Sequence, residues 1–213
     1  MDRLDQPLMR LIRNLDRDLK KMDAEIVRFC EKAKRHRDKE MFDYGLSAMA
    51  NFCGIAAARP LKRAEQALAE RERIAKPGAI EPQLAWAQHY ATTLSDPLRA
   101  LERLRRLRRP VGRKGAGQWY EVLRLRGLME LRAGRKRTAC RTMRELADFT
   151  ERHWRNKWIF FFDLYFVREM IAAKLALRDC RRYLQAISQR DQVPHDAKET
   201  QRLLAMLDAP EDP

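Results

Sequence analysis

Glycine and proline are sparse in this chain of 213 residues, at 8 and 9 copies, and β-branched side chains are thin as well. Strands draw on β-branched residues and their turns on glycine and proline, so an all-β architecture is excluded. The four cysteines (Cys30, Cys53, Cys140 and Cys180) include no CxxC pair and form no dense framework. That spacing fits reduced thiols and argues against a disulfide-stapled secreted domain. Long apolar runs are missing too. The most apolar segment, Trp158 to Val167, contains Asp163 and is about half the roughly twenty residues that a membrane-spanning helix requires. The opening residues, Met1-Asp2-Arg3-Leu4-Asp5, place charge where a secretory leader is apolar. A soluble, cytoplasmic protein is expected.

Catalytic signatures are equally scarce. The histidines (His36, His89, His153 and His195) and the cysteines never fall at metal-ligand spacing, and neither HExxH nor GxSxG occurs. No metal, cofactor or catalytic residue is therefore expected. The segment Pro110 to Gly117 is rich in glycine, but Gly112, Gly115 and Gly117 fit neither GxxxxGK[ST] nor GxGxxG. It is expected to be a connecting loop, with Arg113 and Lys114 able to meet a phosphate or carboxylate. Cys140 and Cys180 sit where small residues pack between helices, so buried thiols are expected.

What the chain does have is helix formers and positive charge. Leu, Ala, Arg, Glu and Met dominate, hydrophobic residues make up 45% and charged residues 35%, so an all-α fold is expected. The formal net charge is +15. Between Pro97 and Asp148, sixteen cations face five acids, which accounts for +11 of that surplus. Charge this dense repels itself unless something anionic lies close. Arg99, Arg103, Arg105, Arg106, Arg108, Arg109, Arg113, Lys114, Arg135, Lys136, Arg137 and Arg141 are the candidate polyanion-binding residues. Arginine outnumbers lysine 33 to 12, and the planar guanidinium suits phosphates and carboxylates.

Taken in order, Leu8, Ile12, Leu15, Leu19, Met22, Ile26, Phe29 and Ala33 recur at spacings of four and three. This is a heptad seam, expected to give one long amphipathic helix over residues 1–41 that packs on the fold or on a second copy. Beyond it, proline and Ser-Asp-Pro starts, together with Pro-Gly stops, divide residues 42–208 into helix pairs. The expected hairpins are 42–76, 82–109, 118–151 and 155–189, followed by a terminal cap helix, 195–207. The fourth helix is expected to run to Arg109, and a helix from Arg155 to Leu177 carries the aromatic stretch. The second helices resemble one another at their starts. Arg59-Pro60-Leu61-Lys62-Arg63-Ala64-Glu65 and Asp96-Pro97-Leu98-Arg99-Ala100-Leu101-Glu102 lie 37 residues apart, and Ala100, Cys140 and Cys180 recur about every 40. Self-similarity at this period marks stacked helical hairpins.

Gly127, Gly134 and Ala139, preceded by Trp119-Tyr120, keep the spacing of the tetratricopeptide repeat, and in this unit the chain resembles that family. It departs from the motif at Arg126 and Glu130, where apolar side chains are usual, and in its longer period. The resemblance implies a right-handed solenoid of antiparallel helix hairpins that binds other molecules, usually peptides or proteins, without catalysing a reaction.

Three functional classes follow. The first is a non-catalytic helical scaffold whose basic middle docks on a polyanion, foremost a nucleic-acid backbone inside a larger assembly. The second is an adaptor gripping an acidic protein segment through the same arginines. The third rests on Arg190-Asp191-Gln192-Val193-Pro194-His195, which resembles the R-x4-H motif of HEPN ribonucleases. There Arg190 would hold a phosphate and His195 would act as general acid and base. The aromatics Trp154, Trp158, Phe161, Phe162 and Tyr165 follow helical spacing and are expected to be core, with a base-stacking platform as the alternative.

Overall fold

The structure is a computed structural model that describes residues 19–55, 61–110, 114–155, 164–190 and 194–208. Every regular element among these residues is a helix, as composition predicts, and none is long and apolar enough to cross a membrane. Two compact units divide the chain between Ser95 and Asp96.

The first unit holds α1 (Leu19–Arg35), α2 (Lys39–Ile55), α3 (Leu61–Ile74) and α4 (Ile80–Thr92). The single helix expected over 1–41 is interrupted. Arg37 adopts the left-handed conformation at φ 55°. Its N–H donates to the Lys34 carbonyl at 3.1 Å, and the Asp38 N–H donates to the Ala33 carbonyl at 3.0 Å. That paired pattern ends a helix by satisfying its last carbonyls. The Asp38 carboxylate then accepts from the Met41 N–H at 3.1 Å and caps α2, so Lys39 to Met41 belong to the second helix. Within the unit α2 packs against α1, α3 and α4. Ile26, Phe29 and Cys30 of α1 meet Leu46 and Met49 of α2, and Ala64, Ala67 and Leu68 of α3, in one core. Gly45 permits this approach, because a Cβ there would lie 2.7 Å from Cys30 Sγ. Arg71 of α3 forks onto Asp43 of α2 at 2.6 and 3.1 Å. The later part of the heptad seam, Ile26, Phe29 and Ala33, is buried, while the side chains of Leu8 to Met22 lie outside the described residues.

The second unit holds α5 (Pro97–Arg105), α6 (Lys114–Arg132), α7 (Lys136–His153), α8 (Tyr165–Ala172), α9 (Leu177–Ser188) and α10 (Pro194–Asp208). Here α6 packs on α5, α7 and α8, while α9 packs on α7, α8 and α10. First helix meets first helix (α6 with α8), and second meets second (α7 with α9). The Tyr120 and Tyr183 hydroxyls, 2.6 Å apart in the core, tie α6 to α9. Where hairpins 42–76, 118–151 and 155–189 and a cap helix 195–207 are expected, the described helices run over 39–55 and 61–74, 114–132 and 136–153, 165–172 and 177–188, and 194–208. The pairing over 82–109 is split by the boundary between the units.

Three expected helix limits need correction. α5 ends at Arg105 instead of Arg109, because the residue before Pro110 is pushed away from helical geometry and the turn unwinds from Arg106. α6 begins at Lys114, inside the expected glycine loop. Gly115 lets Pro110 lie against that first turn, where a Cβ would sit 2.4 Å from Pro110 Cγ. The helix expected from Arg155 to Leu177 is present as α8 alone among the described residues. It stops where Lys174, at φ 52°, takes the left-handed position. The Lys174 and Leu175 N–H groups close onto the Ile171 and Met170 carbonyls at 2.9 Å each.

Candidate functional site

The turn between α6 and α7 sets up an exposed basic group. Gly134, at φ 71°, ends α6. Its N–H donates to the Leu131 carbonyl at 3.0 Å, and the Arg135 N–H donates to the Glu130 carbonyl at 2.8 Å. Glycine takes this conformation without a Cβ clash. Arg135 is then the N-cap of α7, with no side-chain hydrogen bond to the free amides, and the first turn contains no acid. A helix N-terminus carries about half a positive charge. Arg135, Lys136 and Arg137 add to it, and Arg141 follows one turn on. All four are exposed, and among the described residues no carboxylate pairs with any of them. The arrangement opposes helix formation locally and is held by the buried face of the same helix, where Ala139, Met143, Leu146 and Ala147 have almost no exposure.

A second group of cations follows α5. Its N-cap Asp96 accepts from the Leu98 and Arg99 N–H groups at 3.1 and 3.0 Å. The Arg99 guanidinium lies 3.5 Å from the same carboxylate, and Arg106 pairs with Glu102 at 3.0 Å. Arg103 is half-buried and engaged. Arg105 and Arg108 are exposed, with no carboxylate partner among the described residues. Arg109 crosses to the far end of α7. There it lies 5.4 Å from the Phe149 ring centre, and its Nη2 is 3.4 Å from His153 Nε2. Burial, then Arg109 and Arg152, hold the His153 pKa below its ordinary value. Arg113 lies outside the described residues, as does the Lys114 side chain.

The single cluster seen in sequence is therefore two. Arg135 to Arg141 stand at the N-terminal end of α7, while Arg109 meets its last turn, at Phe149 and His153. Those ends are roughly 24 Å apart at 1.5 Å per residue. Several middle cations are neutralised internally. Arg124 pairs with Glu121 at 2.7 Å, and Arg126 with Glu145. Arg132 keeps its charge and donates to the neutral Tyr165 hydroxyl at 3.2 Å.

Two arginines outside the candidate set join the same surface. Arg144 and Arg152, with Arg137 and Arg141, fall within about 80° of one another around α7, opposite its buried arc, and all four are exposed. The offsets of Arg144 and Arg152 from Arg137, of 7 and 15 residues, are the sequence signal that would have found them. Arg182 of α9 had no such signal. It reaches Asp148, Glu151 and Asp179 at once, at 2.7, 2.6 and 3.1 Å.

The remaining candidates fall elsewhere. Phe166 is completely buried. Tyr165 is 38% exposed, with Arg132 and Arg168 at 5.6 and 5.7 Å from its ring centre. Arg155 lies 4.6 Å from the Trp154 ring centre, while Trp158, Phe161 and Phe162 lie outside the described residues. Arg190 is half-buried at the end of α9. The His195 side chain is outside the described residues, so their mutual geometry is as well. Cys180 is buried and its Sγ lies 3.7 Å from the Leu175 carbonyl. Burial, then Asp179 and Cys140, push its thiol up to about 12, which makes it a packing residue and not a nucleophile. Among the described residues no group of His, Cys, Asp or Glu could hold a metal ion. Compared with known proteins, the chain matches no family model, no curated protein and no solved structure.

Proposed function

We propose that this protein is a non-catalytic helical scaffold whose second unit docks on a nucleic-acid backbone. The start of α7 carries the proposal: an uncapped helix N-terminus with four exposed cations and no acid in its first turn. Such an end attracts phosphate through its amides, its dipole and its guanidinium groups together. The stacking of α6 on α8 and α7 on α9, with left-handed helix stops at Gly134 and Lys174, supports a tetratricopeptide-like hairpin repeat as the frame. No base-reading motif accompanies the charge, so contacts to phosphate dominate and sequence preference is weak. Self-association through the heptad seam would fall to its Leu8–Met22 half, since Ile26, Phe29 and Ala33 are committed to the core.

Binding of fluorescent 20-mer RNA and DNA across 50–300 mM salt tests the proposal. Each phosphate neutralised contributes about −0.9 to the log–log slope on duplex DNA. Changing Arg135, Arg137 and Arg141 to Gln is therefore expected to flatten the slope by about 2.7. Absence of binding at 50 mM salt refutes nucleic acid as the partner, and co-purification of an acidic protein would then identify the ligand as a carboxylate-rich segment.

A further inference from the structure

The outward face of α7 would be interrupted by acids if its own residues acted alone. Asp148 and Glu151 lie on the same side as Arg137, Arg141, Arg144 and Arg152, between Arg144 and Arg152 along the helix. Left bare, the two carboxylates would repel any polyanion laid along that face. They are not bare. One guanidinium from the neighbouring helix, that of Arg182, grips both. Its Nε and Nη2 fork onto the Glu151 carboxylate at 2.9 and 2.6 Å, Nη2 also donates to Asp148 at 2.7 Å, and Nη1 reaches Asp179 at 3.1 Å. Arg144 stands 3.5 Å from the other oxygen of Asp179. Arg182 is the only cation found within ion-pair distance of Asp148 or Glu151 among the described residues.

We propose that Arg182 offsets part of the negative charge of Asp148 and Glu151 on the outward face of α7, so that a phosphodiester backbone can lie along Arg137, Arg141, Arg144 and Arg152, a track about 22 Å long. Resting on the nucleic-acid reading of the second unit, this makes Arg182 a positioning residue that acts on the ligand through two carboxylates. The alternative is a purely mechanical link between α7 and α9. Asp148 and Glu151 are about two-fifths exposed, while Asp179 is 11% exposed.

The two roles separate on a charge swap. Binding of a 20-base-pair DNA duplex at 50 mM salt is measured for the full chain, for R182Q, and for R182Q combined with D148N and E151Q. R182Q strips Asp148 and Glu151 of their cation partner one helical turn or less from the track and removes one positive charge, which at that salt weakens binding about three- to tenfold. The triple variant lacks the ion pairs to Asp148 and Glu151, and the one acid of the network it keeps, Asp179, stays 3.5 Å from Arg144; with one more net positive charge than the parent chain, it is expected to bind at least as tightly. Equal binding by R182Q and the parent overturns the inference and leaves nucleic-acid docking standing. A triple variant as weak as R182Q also overturns it, since the link between helices would then be what matters. A parent chain that binds no duplex removes both.

Discussion

Replacing Gly127 by alanine puts the packing of the second unit to a quantitative test. Gly127 lies in the middle of α6, where glycine is unfavourable by about 0.8–1 kcal/mol relative to alanine. On propensity alone the change would stabilise. The structure says otherwise. A Cβ at this position would sit 2.2 and 2.3 Å from Cζ and Cε1 of Phe166. Ordinary contact needs about 3.5 Å, so the ring must retreat by more than 1 Å. Phe166 is completely buried on α8, and a close-packed interior resists such a shift. Overpacking of this kind costs about 1–3 kcal/mol, and subtracting the helix gain leaves a net loss of up to about 2 kcal/mol. The midpoint of a thermal melt followed by circular dichroism is expected to fall by up to roughly 8 °C. A double-mutant cycle with Phe166→Leu locates the cause. The smaller side chain makes room, so G127A should cost much less in that background. A more stable G127A, or one whose effect is the same in the parent chain and in the F166L background, would refute the close approach of α6 and α8.

Two further tests address other parts of the chain. Arg37 and Lys174 occupy left-handed helix stops at φ 55° and 52°, where a Cβ is strained by about 1 kcal/mol. R37G and K174G are therefore each expected to stabilise by about 0.5–1 kcal/mol in urea unfolding, and a loss at either site contradicts that backbone geometry. His89 is buried against the Trp86 and Tyr90 rings, and burial lowers its pKa while Glu65, 3.9 Å away, partly opposes the shift. Below about pH 6.5 the unfolded chain takes up a proton at this position that the folded chain resists. Stability is expected to be insensitive to this residue above that pH and to fall as pH drops from 6.5 toward the lowered folded value. His89→Gln should flatten the dependence in that window, and an unchanged pH profile would count against burial of the ring.

Much of the fold was legible in the residues themselves. Helix formers fill the chain, and turn and cap chemistry marks boundaries wherever it is local. Asp96-Pro97 opens α5, Gly134 closes α6, and the Cys140 to Cys180 interval measures the step from α7 to α9. Less local boundaries were missed. In His36-Arg37-Asp38 the one local signal is Asp38, a favoured N-cap, while the left-handed Arg37 stands where glycine or asparagine would have marked the stop. The glycines near Pro110 read as a loop, and only the fold shows that Gly115 and Gly117 lie inside a helix, with Pro110 seated close against Gly115.

For the candidate site the line falls in a similar place. Composition and order alone determined that the chain is helical, that it is strongly basic, and that most of its surplus lies between Pro97 and Asp148. Tertiary structure decided which of those charges remain available. Arg126 meets a carboxylate 19 residues away, and Arg182 meets two that are 31 and 34 residues away. Pairings of that separation depend on which helix faces pack together. Folding the α6/α7 hairpin also carried Arg109 to one end of α7 and Arg135 to the other, because a helix converts nearness in sequence into distance along an axis, and only packing brings remote residues side by side.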